Sequence, residues 1–349
     1  MLFILPHPTM SSGGHSYNRK VLEPNLLPLE PVYAEPGVPL GELGEGMPGE
    51  GDGWILWDSL LMDRMVEAAS LRTPRRCALL VHYLPSRDPL LATAARTALR
   101  SREDSAARCA EAFIATGLGM GRELRLRYPG TPIFVCEPGI DPAFRAARAH
   151  PARLPQPSCL NLVTVANLVP SKGHARILAI LQHLQDLEWR WHLVGDANAD
   201  PSFTRDWLEE VAHSGLGERI HLTGSLSQDE LVTFLGGMDI FVSASHLESY
   251  GMALAEAVAT GLPALTTRVG EADRLVRDGV QGFVVDFGAW GHFQDLLRRM
   301  LEDPALRQRM AQAPPSEPTR TWQATREELA AACRAILALP LSGSRSIRN

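Results

Sequence analysis

The sequence predicts an α/β protein built from two parallel-sheet domains. Two observations carry that expectation. Short runs rich in bulky apolar residues, each suited to a buried strand, alternate with helix-length segments, which is the pattern of a parallel sheet covered on both faces. The alternation occurs twice, once on either side of a Pro-, Ala- and Arg-rich stretch, 142–157, that carries no strand pattern and reads as an interdomain linker. At 349 residues the chain is long enough for two domains of ordinary size. The expected boundaries are 1–157 for the first domain with its linker, 158–320 for the second, and 321–349 for a final helix and a polar tail.

In the first half, Leu2-Phe3-Ile4-Leu5-Pro6 reads as the opening strand. Met10-Ser11-Ser12-Gly13-Gly14-His15 then leads into a helical run ending near Pro24, and the paired glycines suit a close backbone approach to a ligand or a tight turn. Pro31 to Ala34 reads as a strand, followed by an exposed acidic loop over Gly41–Gly53. Strands are expected at Trp54–Trp57, Cys77–His82, Ala112–Thr116 and Pro132–Cys136, with helices over Ser59–Ser70 and Pro89–Cys109. His82 closes its strand at the carboxyl edge of the sheet, where open α/β sheets bind ligands, so it is the histidine most suited to a site.

The second half continues in the same rhythm. Strands are expected at Asn161–Ala166, Trp191–Val194, Ile220–Leu222, Asp239–Ser245, Pro263–Thr267 and Gly282–Val285. Helices are expected over Ser171–Gln185, Phe203–His213, Gln228–Leu235 behind a Ser227 cap, Tyr250–Thr260, Glu271–Arg277, Trp290–Glu302 and Thr321–Leu337. The tail Ser342–Asn349 is polar.

Composition excludes several function classes. The net charge of −6 argues against a general nucleic-acid binder, which needs a basic footprint. No apolar run reaches membrane-span length, and Met1–Pro6 is too short for a signal peptide, so a cytoplasmic location is expected. Five cysteines stand far apart, with neither zinc-ligand nor disulfide-framework spacing. No Asp-x-Asp or Gly-x-Ser-x-Gly sequence occurs, and no Gly-x-Gly-x-x-Gly directly follows a strand, so metal binding, serine hydrolysis and nicotinamide chemistry are disfavoured. Arginines gather at Arg72, Arg75, Arg76, Arg96, Arg100, Arg102, Arg122, Arg125 and Arg127. Solvated helix faces are the first reading of these; a patch contacting an anionic acceptor, or peripheral contact with the inner membrane face, is the second.

The stretch from His246 to Pro263 organises the second half. Its helix is apolar nearly all round and so is expected to be buried, yet Glu256 sits in its second turn and Glu248 in the loop before it. Either protein or water satisfies both carboxylates, or they serve a ligand held at the helix N-terminus, where free N–H groups favour an anion.

Around those glutamates the chain resembles the C-terminal domain of retaining glycosyltransferases of family 4, which have the GT-B architecture of two facing Rossmann-like domains with a cleft between them. The resemblance rests on Val165-Ala166-Asn167-Leu168-Val169-Pro170-Ser171-Lys172-Gly173, Leu193-Val194-Gly195, Asp239 to Gly261, and Gly279-Val280-Gln281-Gly282-Phe283-Val284-Val285. In the first half it rests on Gly13-Gly14, Val81-His82 and Pro138-Gly139-Ile140-Asp141.

The resemblance implies a nucleoside diphosphate sugar as substrate, with no cofactor and no metal, and an acceptor the sequence leaves open. It implies donor contacts from Gly14, Lys172, Glu248, Ser249, Tyr250, Gly251, Met252 and Glu256. Glu256 would serve the ribose hydroxyls and Glu248 the transferred sugar, while the helix amides and Lys172 neutralise the diphosphate. His82 and Glu248 are the catalytic candidates. Trp322 resembles the terminal segment that crosses back to the first domain, and also fits a core aromatic.

The chain departs from the family at Asn167 and Ser171, where variants carry an arginine: either Arg268 or a first-domain arginine reaches in to replace it, or charge compensation is weaker than in the family. The rival readings are a nucleotide-sugar epimerase or a phosphorylase on the same fold, or a GT-B scaffold without turnover.

Overall fold

The computed structural model describes residues 1–7, 13–23, 27–34, 53–70, 76–148, 159–317 and 320–340. Residues 41–52 of the expected acidic loop, residues 149–157 of the expected linker, Arg72, Arg75 and the 342–349 tail lie outside them.

Six parallel strands form each of two sheets. In the first, β1 (Leu2–Pro6), β2 (Glu30–Ala34), β3 (Trp54–Asp58), β4 (Arg76–Val81), β5 (Ala112–Ala115) and β6 (Ile133–Val135) lie in the order β2-β1-β3-β4-β5-β6. Helices α1 (Gly13–Leu22), α2 (Met62–Ser70), α3 (Thr93–Cys109) and α4 (Leu118–Arg127) connect them, and α5 (Pro142–Arg148) leads out.

The second sheet is built from β7 (Leu160–Val165), β8 (Trp189–Val194), β9 (Ile220–Gly224), β10 (Ile240–Ser243), β11 (Ala264–Thr267) and β12 (Gly282–Val285). Between them run α6 (His174–Leu181), α7 (Pro201–Ser214), α8 (Gln228–Gly236), α9 (Met252–Ala259) and α10 (Ala272–Leu275); α11 (Trp290–Glu302), α12 (Pro304–Gln312) and α13 (Trp322–Leu337) follow. Its order, β12-β11-β10-β7-β8-β9, reverses direction between β7 and β10. Such a reversal opens a crevice at the carboxyl edge, because the loops on its two sides run to opposite faces of the sheet.

Central strands are buried on both faces, which explains their unbroken apolar runs: β3 and β5 contain no exposed residue. Two apolar clusters cover the faces of the first sheet and two those of the second. The last helix belongs to the first sheet. Trp322, Leu329, Cys333 and Ile336, spaced at helical period, bury one stripe of α13 among Phe3, Leu5, Tyr17 and Val21.

The chain reaches that position by running close past the hinge segment. Ile140 donates its N–H to the Arg320 carbonyl at 2.8 Å, and Thr325 Oγ1 donates to the Glu137 carbonyl at 2.8 Å. A Cβ placed on Gly139 would lie 2.2 Å from the Trp322 nitrogen, so only glycine admits this crossing.

Several elements differ from the sequence reading, among them helix α4, which it did not expect. The expected linker begins as a helix: Phe144 of α5 is buried in the second domain's cluster with Leu235, Leu254 and Val258, and the Asp141 carboxylate accepts the Ala143 N–H at 3.0 Å. A single aromatic in an Ala/Arg run gives too little periodicity to mark a helix. Helix α12 was unforeseen, although Asp303 caps it and Pro304 opens it. Helix α9 starts at Met252, two residues later than expected, which leaves Tyr250 and Gly251 in the preceding loop.

Candidate functional site

The second domain's half of the site spans its strand-order reversal. Lys172 ends a turn after β7, and Glu248 lies in the loop after β10. They meet across the crevice, Lys172 Nζ to Glu248 Oε1 at 2.6 Å, with about a quarter of each side chain still exposed. A pair so open to solvent is worth about 1 kcal/mol or less, so a ligand can exchange for it at small cost.

Ser249, Tyr250 and Gly251 then lead into α9, whose first turn receives no side-chain cap. Its leading N–H groups therefore keep their capacity to bind an anion. Further along α9, the Glu256 side chain accepts no hydrogen bond from the described residues. Burial pushes its carboxyl up to about 7, while Lys20 lowers it and Asp141 raises it. The carboxylate is thus held in a costly place without a protein donor.

The first domain's half sits at its own reversal, between β1 and β3. His82, just past β4, is buried, and its Nε2 lies 3.1 Å from Asp58 Oδ2 and 3.2 Å from Asn18 Oδ1. Asn18 comes from α1 and Asp58 from the end of β3. Burial would raise the Asp58 carboxyl, but His82, the Leu60 N–H and Asn18 more than offset this and hold it below its usual range. Gly14 lies under the imidazole: a Cβ there would stand 3.2 Å from His82 Cδ2. The space opened by the second glycine of the pair is therefore taken up by the His82 ring.

Polar contacts join the halves. Ser249 Oγ donates to the His82 carbonyl. His246 Nε2 lies 3.3 Å from Asp88 Oδ1, and the Gly119 N–H at the start of α4 donates to Glu271 Oε1 at 2.7 Å. Arg274 bridges Glu137 at 2.6 Å and Glu317 at 2.8 Å. Tyr250 turns its side chain toward this last group; burial, followed by Glu137, pushes its phenol up to about 12.

The structure brings Lys172, Glu248, Ser249, Gly251 and Met252 together at the start of α9, with His82 and Gly14 facing them across Ser249. Glu256 lies deeper, near Lys20 and Asp141. Arg268, one of the arginines that could replace the missing cation, is paired at the surface with Asp273 and Asp286. Asn167 instead accepts the Asp196 N–H at 3.0 Å.

Sequence reasoning missed Asn18, Lys20, Asp58 and Glu271. Asp58 carried a usable signal, a polar residue at the carboxyl end of an apolar strand, the same one that singled out His82. Among the described residues, no group of three His, Cys, Asp or Glu side chains is arranged to hold a metal, and no helix is long and apolar enough to cross a membrane. Several clustered arginines are engaged locally: Arg76 with Glu111, Arg100 with Asp104, Arg102 with Asp63 and Arg127 with Glu103.

Two doubly wound sheets, with site residues gathered at the carboxyl edges of both, define the GT-B architecture. Anabaena Alr3699/HepE in complex with UDP and glucose has the same fold, with a TM-score of 0.74 at 17% identity over 96% of this chain and 99% of that one. Sucrose-phosphate synthase from Thermosynechococcus elongatus matches with a TM-score of 0.75 at 16% identity, over 97% and 99% of the two chains.

Residues 157–316 match the family model described as Glycosyl transferases group 1. The D-inositol 3-phosphate glycosyltransferase of Thermobifida fusca is 29% identical over 248 residues, 66% of this chain and 57% of the relative. The chain spans about half the length of the curated relatives it matches.

Proposed function

We propose that the protein is a glycosyltransferase that moves a hexose or N-acetylhexosamine from a nucleoside diphosphate sugar to an acceptor hydroxyl, with retention at the anomeric carbon and without an essential metal. The observation that carries this reading is the crevice between β7 and β10, where a loosely held Lys172–Glu248 pair adjoins the uncapped start of α9. A diphosphate would take Lys172 and the α9 amides, and Glu248 would turn to the hydroxyls of the transferred sugar. Glu256, half-buried without a protein donor among the described residues, would accept hydrogen bonds from the ribose. Charge neutralisation by a lysine and helix amides does the work a divalent cation would otherwise do, which supports the metal-independent reading. In this reading Glu248 binds the sugar and is not a nucleophile.

UDP is the first nucleotide to test, because Alr3699/HepE is described in complex with it. The relatives' name makes D-inositol 3-phosphate the first acceptor to offer. Calorimetry with UDP and GDP, followed by mass spectrometry of donor and acceptor mixtures, tests the proposal. Binding of one nucleotide and a product heavier than the acceptor by one sugar are expected. No binding at millimolar nucleotide would leave a scaffold, donor conversion without an acceptor would mark an epimerase, and a requirement for inorganic phosphate would mark a phosphorylase.

A further inference from the structure

We propose that Asp58 and Asn18 are positioning residues that hold His82 as its Nε2–H tautomer, so that Nδ1 presents a lone pair to a substrate hydroxyl in the cleft. This rests on the transferase reading for its role in turnover, but its geometry stands alone. Both atoms that meet Nε2, Asp58 Oδ2 and Asn18 Oδ1, are acceptors, so the nitrogen between them must carry the proton.

The Asn18 amide is oriented by the same logic. Its Nδ2 donates to Asp58 Oδ2 at 2.5 Å, which turns Oδ1 toward the ring; the reversed amide would set an oxygen against an ionised carboxylate. Asp58 is ionised because its surroundings hold its carboxyl below the usual range. It is also fixed in place, fully buried and accepting the Leu60 N–H at 2.7 Å through its other oxygen.

The ring itself has little freedom. Tyr17 packs edge-on against it with ring centroids 5.4 Å apart, and the Tyr17 hydroxyl is anchored to the Cys136 carbonyl at 2.9 Å. Gly14 lies under the ring. Nδ1 has no partner among the described residues and is not among the polar atoms sealed from solvent. It is therefore the one ring nitrogen left to a ligand, and the carbonyl of the same residue already receives Ser249 from the opposite domain. In its neutral form an imidazole locked this way accepts a hydrogen bond from a sugar or acceptor hydroxyl and cannot donate one. The carboxylate–imidazole arrangement follows the general rule that the bond made by one ring nitrogen sets the state of the other.

The test pairs Asp58→Asn with nitrogen NMR of histidine-labelled protein at pH 8, with His82→Phe assigning the signal. Wild-type His82 is expected to read as Nε2-protonated with a bare Nδ1. Asp58→Asn replaces an obligate acceptor with a group able to donate, and is expected to convert or mix the tautomers. In turnover assays the same variant is expected to lose about 10²- to 10⁴-fold in kcat, with the donor KM changed less than threefold. Asn18→Leu, which leaves Asp58 in place, is expected to show a smaller loss of the same kind.

A bare Nε2 in the wild type would overturn the proposal, and so would unchanged tautomer and kcat in Asp58→Asn. If Asp58→Asn does not fold, the wild-type spectrum and Asn18→Leu decide the matter. The spectrum is recorded without donor, so the stated tautomer in a protein that turns over no nucleotide sugar counts against the transferase reading alone.

Discussion

Glu256→Gln should make the protein more stable and a weaker nucleotide binder, and both effects should appear and vanish with the same titration. Burial raises the Glu256 carboxyl from its ordinary 4.5 to about 7. A group whose folded value is raised is favoured in its protonated form. Stability is therefore fully present below 4.5, falls as pH rises toward 7, and is lower by about 3 kcal/mol above that, taking about 1.4 kcal/mol per tenfold change in proton affinity. Glutamine keeps the shape and cannot ionise.

Urea denaturation should accordingly find the variant equal to wild type near pH 4 and about 3 kcal/mol more stable at pH 8. The difference between the two proteins is the quantity to read, because His174 titrates in the opposite sense over an overlapping range and masks the effect in either protein alone. Ribose hydroxyls, by contrast, bind the carboxylate. UDP affinity should be about 10-fold weaker in the variant at pH 8, for loss of a charge-assisted hydrogen bond, and the two proteins should converge near pH 5 as Glu256 takes up its proton. A stability difference that does not change with pH, or a variant that binds UDP as well as wild type at pH 8, would refute the placement of an unpaired carboxylate in the donor site.

Other expectations follow from single contacts. Lys172→Ala should weaken UDP binding about 10- to 100-fold by calorimetry, while Glu248→Ala, which frees the lysine, should leave UDP affinity equal or tighter and lower kcat. Gly139→Ala forces a Cβ into the Trp322 backbone and should cost about 3 kcal/mol in urea denaturation, with α13 amides losing hydrogen-exchange protection first. Burial holds His174 down at about 4, against the opposing hydrogen bond to the Asn167 carbonyl and with Lys172 adding to the effect. Its folded value is depressed, so its share of stability is present above 6.5 and is lost as pH falls to 4, by about 3 kcal/mol in all. His174→Gln should remove that loss, seen as a stability difference from wild type that shrinks between pH 7 and pH 4.

The sequence disclosed those parts of the molecule whose causes lie within a few residues of one another. A parallel strand buried on both faces needs an apolar run, so β1, β3, β5 and β10 stood out from the sequence, and the loop and helix around Glu248 and Glu256 were legible because a carboxylate on an apolar helix contradicts its surroundings. Helices α5 and α12 were obscured for the opposite reason: Phe144 and the Asp303–Pro304 cap are weak local signals, and tertiary packing supplies the rest.

The first domain's polar centre was hidden more deeply. His82, Asp58 and Asn18 come from three separate elements, and nothing near any one of them names the other two. Only the strand order, with β3 inserted between β1 and β4, brings them to one point. That placement also explains why Asp58 was passed over. On its own it is one acidic residue at a strand end, with a bland role as a turn cap, which it does fill through Leu60. Its second oxygen acquires a chemical purpose only once the neighbouring strand delivers an imidazole 3.1 Å away. The second domain's site could be read from a motif, whereas the first domain's had to be read from topology, because there the chemistry lies in how the chain is wound.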